Sequence, residues 1–206
     1  MHEDEVSRLQ PHEVALLRDG PRAAVTVVLV ALHLRGLVEP DRPGTLRAVT
    51  ADPTAVTDAR EPPLAPLGAA VLTALRRTAA SRKVARDPDV RLALALMRVP
   101  LAGAGLLTYP MLSPNRAARR GLRALRDAHP LPAHRRDLTE DDTLLAVALH
   151  GEAALRALVP RFALRAGLTP RARVAGPYLV RHPPRGGDST SVVRHYWDGS
   201  GGTGGD

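Results

Sequence analysis

Apolar residues at helical spacing predict two helices near the start of the chain. Pro11 stands where a first helical turn tolerates proline, and residues 12–18 form a short helical stretch that stops at Gly20. Another proline opens the next element, in which residues 22–35 present a broad apolar face before Gly36 ends it. We expect this second helix to be the central buried helix.

Alternating polar and apolar residues then predict one short β-hairpin. Residues 37–39 and 45–49 read as short extended segments, and the turn between them covers residues 41–44. Helix, turn, helix and hairpin is the order of a winged-helix domain. Residues 1–10, which precede the first helix, are predicted to be a flexible N-terminus.

The order of helices seen in residues 12–50 partly recurs after a proline-rich link over residues 52–66. Apolar periodicity predicts helices over residues 67–78 and from Pro88 to about Gly103. A local echo accompanies the recurrence, since Ala31-Leu32 and Gly36-Leu37-Val38 are matched by Pro100-Leu101 and Gly105-Leu106-Leu107. We therefore predict a weak internal repeat of residues 12–50 and 65–109.

The sequence from Pro114 onward predicts further helices followed by a C-terminal tail. A helix from Pro114 to His129 is followed by a helix that Thr139 caps and that continues to Val159, with residues 160–166 as a kinked or separate segment. Residues 169–206 are rich in Gly, Pro and Arg and are predicted to be disordered. The predicted fold class is mainly α, with a helical domain over residues 11–168 whose N-terminal part is winged-helix-like.

The amino-acid composition limits how the core can be built and which kinds of functional site are possible. Only 2% of the 206 residues are aromatic, so the core must be built from Leu, Val and Ala. The chain has no cysteine, which excludes disulfides, thiolate metal sites and cysteine nucleophiles. The longest apolar run, residues 25–34, is shorter than the roughly 20 residues of a membrane-spanning helix. Since the chain also begins with acidic residues rather than a basic signal segment, we expect a cytoplasmic protein without a transmembrane segment.

Positive charge is concentrated in one region. Arginine supplies 28 of the 29 basic residues, a usage typical of a high-GC genome, so the net charge of +8 is weak evidence by itself. Residues 76–136, however, carry 14 basic and 3 acidic residues, a difference of +11. Genome bias alone would not concentrate the surplus there.

The predicted helix from Pro114 to His129 carries the clearest candidate site. At 100° per residue five arginines fall on one side of it, while alanine and leucine cover the other. We call these five residues the arginine face: Arg116, Arg119, Arg120, Arg123 and Arg126. One interpretation is a binding surface for an anionic partner, such as a membrane surface, an acidic protein or nucleic acid. The other interpretation is a solvated helix surface with no partner.

No catalytic or metal-binding pattern accompanies this face. The eight histidines lack the four-residue spacing of a zinc-binding helix, and the serines have no nucleophile-elbow setting. His33 and His150 lie on apolar helices without a titratable partner at helical spacing, so we interpret both as core or interface residues. We therefore predict no enzyme activity, no metal and no cofactor.

Several segments resemble the actinobacterial "near-uncomplex" domain family, whose members are uncharacterised and often described as membrane proteins. The resemblance spans about residues 12–168 and is carried by Glu13-Val14-Ala15-Leu16-Leu17, Gly20-Pro21-Arg22-Ala23-Ala24-Val25, Arg35-Gly36-Leu37-Val38, Pro43-Gly44-Thr45-Leu46 and Val147-Ala148-Leu149-His150-Gly151. This chain departs from the family in lacking a membrane segment and in its short glycine-rich end. The family implies no catalytic residues.

A second resemblance, to the Golgi phosphoprotein 3-like fold, rests on Tyr109-Pro110 followed by the arginine-rich helix and the later helix from Leu144 to Leu158. It would imply binding to phosphoinositides or other anionic lipids.

The sequence is compatible with three functions. The first is a non-enzymatic interaction domain that docks on an acidic protein or an anionic membrane surface, which would place it at the membrane periphery. The alternative is a winged-helix nucleic-acid-binding protein, although its candidate reading helix, residues 22–36, is apolar and lies in a net-negative region. The third is an enzyme that uses His33 or His150.

Overall fold

The computed structural model describes residues 2–49, 63–136 and 138–169, all of which belong to one compact unit, residues 1–171. Proline, glycine and short polar residues divide this part of the chain into helices and two short antiparallel hairpins. The elements in chain order are α1 (His2–Ser7), α2 (Pro11–Asp19), α3 (Pro21–Leu34), β1 (Val38–Pro40), β2 (Leu46–Ala48), α4 (Pro66–Arg77), α5 (Ser81–Val84), α6 (Pro88–Gly103), β3 (Leu107–Thr108), β4 (Ser113–Pro114), α7 (Arg116–Ala128), α8 (Glu140–His150), α9 (Glu152–Leu158) and α10 (Pro160–Arg165).

The mainly helical fold class is confirmed, and α3 is the central helix. Half of its 14 residues are buried, and it packs against α2, α4 and α8. The helix begins at Pro21, directly after Gly20, because proline suits a first turn and glycine adopts the φ of +79° needed between α2 and α3. Leucine, valine and alanine build the core around it, together with Phe162, which stacks on the His33 ring at 3.9 Å.

The predicted hairpin is formed by β1 and β2, with Val38 opposite Ala48 and Pro40 opposite Leu46. Val38 and Leu46 are fully buried, so the inward side of this two-stranded sheet belongs to the core. The hairpin is extended by a backbone hydrogen bond from the Leu46 N–H to the Ala79 carbonyl. Its turn is covered as well, because the Gly44 N–H donates to the Arg165 carbonyl at 2.8 Å.

The order of two longer helices and a hairpin occurs twice, in α2–α3–β1–β2 and in α4–α6–β3–β4, with the short α5 inserted in the second copy. The helix ends also match. Leu37 donates to the Leu32 carbonyl after α3, and Leu106 donates to the Leu101 carbonyl after α6. Each contact follows a glycine with positive φ. The second hairpin was not predicted, since two paired residues are too short to show alternation.

The segment predicted to be a flexible N-terminus contains a helix. Residues 2–7 form α1, which packs on α7, and the Val6 side chain is fully buried. A single valine in an otherwise polar segment gives no periodic signal, so only its contact with the rest of the fold shows that it is anchored.

The helix predicted from Thr139 to Val159 is interrupted. Gly151, at φ +58° and ψ −122°, ends α8 and starts α9. At the start of α8, the hydroxyl of Thr139 accepts from the Asp142 N–H, and the hydrogen bonds that Thr139 donates lower the pKa of Asp142. The predicted tail, residues 169–206, lies outside the described residues except for Thr169.

Candidate functional site

Helix α7 is held in place at both ends by polar contacts. Asn115 caps its start, where the side-chain oxygen accepts from the Ala118 N–H at 2.8 Å and the side-chain amide donates to the Gly105 carbonyl. At the other end, the His150 ring lies 2.8 Å from the His129 carbonyl oxygen. The helix is thereby fixed both to the connection before β3 and to α8.

The arginine face points away from the core, as predicted. Ala118, Gly121 and Leu122 are the buried residues of α7, whereas all five arginines are exposed. Within the described part of the chain, none of the five forms an ion pair with an acidic side chain. Among the described side chains, no acidic group is therefore paired with this positive charge.

The structure divides the arginine face into two parts. Arg119, Arg123 and Arg126 line an open cleft of about 630 Å³, whereas Arg116 and Arg120 do not. The division agrees with helix geometry, because at 100° per residue positions 126, 119 and 123 lie toward one edge of the arginine face and positions 116 and 120 toward the other. The cleft lies between α7, the end of α2, α6 and the second hairpin.

Two more arginines reach the cleft from distant parts of the sequence, Arg18 at the end of α2 and Arg98 in α6. Among the described residues that line the cleft, five are arginines and none is acidic. Its walls are otherwise mostly apolar, and they include Leu16, Leu122 and Leu149. The described lining of the cleft is thus mostly apolar, and its only charged side chains are arginines.

Arg18 is the most confined of these cations. Its guanidinium pairs with Asp19 at 2.6 Å, yet its Nε atom is buried and has no hydrogen-bond partner. Burial is the strongest influence on Arg18 and lowers the pKa of its guanidinium; Asp19 opposes this effect, while Arg126 lowers the pKa further. Asp19 thus supplies Arg18 with an anionic partner, whereas Arg126 has none among the described residues.

The turn of the second hairpin, residues 109–112, projects apolar side chains into solvent. We call these residues the hairpin tip. The exposed fractions of Tyr109 and Met111 are 85% and 84%, and Met111 and Leu112 also line the mouth of the cleft. Leu112 has a φ of +49°, in the left-handed region that residues with large side chains seldom adopt.

The corresponding turn of the first hairpin is polar and is covered by other parts of the fold. It consists of Asp41, Arg42, Pro43 and Gly44, and it is hydrogen-bonded to α10 and to Ser81. The two turns follow the same helix-end geometry, so their difference lies in the side chains they carry and in what covers them. Only the hairpin tip of the second copy is both apolar and uncovered.

Helix α6, which leads into this hairpin, also carries apolar side chains toward solvent. Leu92, Leu96 and Val99 are at least 60% exposed and share one side of the helix at spacings of four and three residues. Exposed apolar side chains in a contiguous group are characteristic of interaction surfaces.

Sequence reasoning found the five arginines but missed the cleft. Arg18, Arg98 and the hairpin tip are separated from α7 along the chain, and nothing in their local patterns places them together. A usable signal was the run Tyr109-Pro110-Met111-Leu112, four large or stiff side chains in a turn where polar residues are usual.

The two histidines considered earlier lie away from the cleft. His33 contacts Phe162 and the Val38 carbonyl, and His150 contacts the end of α7. Within residues 2–49, 63–136 and 138–169, no group of three or more potential ligands is arranged to hold a metal ion. In the same residues no helix has the length and apolar character needed to cross a bilayer.

Both family resemblances remain predictions. Comparisons of the chain with protein-family models, with curated proteins and with solved structures found no match.

Proposed function

We propose that this protein is a non-enzymatic interaction domain that docks on an anionic membrane surface through the arginine face and the hairpin tip. The observation that carries the proposal is the exposure of Tyr109 and Met111 next to arginines that have no acidic partner within the described residues. Peripheral binding to anionic bilayers combines these two contributions, the burial of apolar side chains near the headgroups and attraction between basic residues and anionic lipid.

A membrane accounts for both parts of this surface. Tyrosine is favoured at the level of the headgroups, and methionine adapts to irregular apolar surroundings. Each arginine near an anionic bilayer contributes on the order of 1 kcal/mol. An acidic protein surface would account for the arginines, but it would leave the uncovered side chains of the hairpin tip without a role.

The nucleic-acid alternative finds less support in the geometry. A winged-helix protein reads DNA with the second helix of its helix-turn-helix, which corresponds to α3. Half of α3 is buried in the core, so its side chains are committed to packing. In the second helix–helix–hairpin segment, the helix at the equivalent position is α6. Its exposed side carries Leu92, Leu96 and Val99 instead of the basic and polar residues that contact phosphates and base edges.

The first experiment is co-sedimentation with neutral and anionic vesicles at two salt concentrations, with duplex DNA as a competitor. We expect binding to anionic vesicles that weakens as salt rises and that DNA does not displace. Binding that DNA abolishes would support the nucleic-acid alternative, and no binding to anionic vesicles at low salt would contradict the proposal.

Two variants test the two halves of the surface. Arg116→Glu with Arg120→Glu reverses charge outside the cleft and is expected to weaken vesicle binding by at least about tenfold at low salt. Met111→Asp removes the apolar contact and should weaken binding at both salt concentrations. The matched controls are Arg161→Glu with Arg165→Glu, and Leu164→Asp, which make the same changes at exposed positions of α10. If the controls weaken binding equally, the surface has been misassigned.

A further inference from the structure

The cleft beside α7 has the properties of a small-molecule site as well as of a surface groove. Its volume of about 630 Å³ falls within the roughly 300–1,000 Å³ of typical ligand pockets. Such pockets combine apolar walls with a few polar groups that orient the ligand. Here the orienting groups are guanidinium groups, so the ligand's polar end must carry negative charge.

Arg18 and Arg126 line the cleft from two different helices, α2 and α7. Arg18 has a buried Nε–H without a partner, and Arg126 contributes an exposed guanidinium from α7 to the same cleft. Guanidinium groups bind carboxylates and phosphates through paired N–H donors. Arg18 already pairs with Asp19 at 2.6 Å, so an anionic headgroup at this point would accept mainly from the exposed guanidinium of Arg126.

The apolar walls require the rest of the ligand to be hydrocarbon. Leu16, Leu122 and Leu149 come from three different helices and are nearly inaccessible at the base of the cleft, while Met111 and Leu112 stand at its mouth. A small inorganic anion would leave the exposed apolar side chains at the mouth, Met111 and Leu112, in contact with water. A hydrocarbon chain attached to the headgroup would cover them, which is favourable at about 25 cal/mol per Å² of apolar surface removed from water.

We propose that the cleft binds one single-chain amphiphilic anion, with its carboxylate or phosphate held by Arg126 and Arg18 and its hydrocarbon chain lying over Leu122 toward Met111 and Leu112. This site goes beyond docking on a bilayer, because its ligand is a single molecule that the protein takes up from solution or from the membrane. The arginine face then has two roles. Arg119, Arg123 and Arg126 line the ligand site, whereas Arg116 and Arg120 lie outside the cleft.

Isothermal titration of the full chain with decyl phosphate, kept below its micelle concentration, tests the site directly. Inorganic phosphate represents the headgroup alone, and decanol represents the chain alone. We expect decyl phosphate to bind with one-to-one stoichiometry and at least about tenfold more tightly than either partial probe. No binding of decyl phosphate, or equal affinity for inorganic phosphate, would overturn the proposal.

Paired variants locate the binding. Arg126→Met removes a cleft cation and should weaken decyl phosphate binding at least about fivefold. Arg120→Met removes the same charge from the same helix outside the cleft and should leave the affinity within about twofold. Equal weakening by both variants would show that decyl phosphate responds to charge alone and would overturn the assigned site.

A third variant separates this proposal from membrane docking. Leu107→Trp places a larger side chain at a half-buried lining position and is expected to block decyl phosphate while vesicle binding persists. A folded Leu107→Trp protein that binds decyl phosphate normally would contradict the cleft site without touching the docking proposal. Conversely, loss of vesicle binding in Tyr109→Asp, which changes an exposed residue outside the cleft lining, with unchanged decyl phosphate affinity in that same variant would support the cleft independently. If thermal melting shows that Leu107→Trp does not fold, the comparison of Arg126→Met with Arg120→Met decides.

Discussion

Single residues set the shape of the cleft, and Gly151 is the clearest example. A Cβ atom added there would lie 2.6 Å from a terminal nitrogen of Arg18, and the backbone φ of +58° is strained for any residue with a side chain. Glycine at this position therefore serves two purposes. It lets the chain turn from α8 into α9, and it leaves room for the Arg18 guanidinium beside the cleft.

We expect Gly151→Ala to lower the free energy of unfolding by about 1–3 kcal/mol, because it combines the strained backbone with displacement of Arg18. Urea denaturation measures this change. Gly103→Ala is the matched control, since no atom lies within 4 Å of its added Cβ and its φ is not positive. That variant should be as stable as the parent or slightly more so. Equal destabilisation by the two substitutions would contradict the role assigned to Gly151.

His12 is a residue whose burial predicts a pH dependence. Burial lowers the pKa of His12 below its ordinary value of 6.5, and Glu13 only partly opposes the shift. The folded state therefore binds a proton at His12 less readily than the unfolded state does. Its contribution to stability is complete above pH 6.5 and is lost as the pH falls from there toward the lowered pKa of the folded state.

Thermal melts at pH 7.5 and pH 5.5 test this dependence. The parent protein should lose stability between these two pH values, and His12→Gln should lose less, because glutamine takes up no proton. Arg35 and Glu140 line the same groove as His12, so the comparison is made in the full chain with both residues retained. An identical drop in parent and variant would show that His12 does not contribute.

At the scale of elements, α7 is defined by the cap that starts it. Asn115 accepts from Ala118 within the helix and donates to Gly105 at the connection that leads into β3. Its backbone N–H also donates to Leu106. One side chain therefore couples the start of the arginine-bearing helix to the hairpin that carries the apolar tip.

We expect Asn115→Ala to cost about 1 kcal/mol of stability through loss of the cap. Asn115→Asp keeps the oxygen that accepts from Ala118 but loses the donor to Gly105, so it should retain the helix start and loosen the hairpin. Hydrogen exchange of the amides of Ser113 and of residues 115–119 distinguishes the two effects. If Asn115→Asp and Asn115→Ala expose the amide of Ala118 equally, the capping assignment fails.

The two hairpins show how similar elements acquire different roles. In the first, Val38 and Leu46 are buried and the turn is covered by α10, so the hairpin contributes to stability. In the second, the tip is exposed and contributes little to the core. The helix-end geometry shared by Leu37 and Leu106 agrees with the predicted repeat, although the predicted duplication itself stays a prediction.

This difference has a measurable consequence. Leu46→Ala should lower the free energy of unfolding by about 2–5 kcal/mol, because it leaves a cavity at a fully buried position. Met111→Ala should change it by no more than about 0.5 kcal/mol, because the side chain is 84% exposed. Chemical denaturation compares the two, and a large loss of stability in Met111→Ala would show that the tip has a structural role.

For the molecule as a whole, the charge surplus of residues 76–136 is brought beside parts of the chain that lie outside it. Arg18 comes from the net-negative N-terminal region, yet it lies in the cleft with Arg98 from α6 and Arg126 from α7. The hairpin tip, from the middle of the surplus, places apolar side chains at the mouth of the same cleft. A cationic and apolar site therefore arises from segments that no local pattern connects.

Local patterns decided α2, α3, α4, α6 and α7, the first hairpin and the arginine face. Pro21 and Gly36 bound α3 because proline suits a first turn and glycine suits a helix end, and the five arginines share a side of α7 because the α-helix repeats every 3.6 residues. Only the tertiary structure decided that Val6 anchors α1, that Gly151 breaks the helix beside Arg18, and that three of the five arginines face a cleft. The reason is physical. Periodicity and capping act over a few residues, whereas burial and the meeting of charges depend on which distant segments pack together.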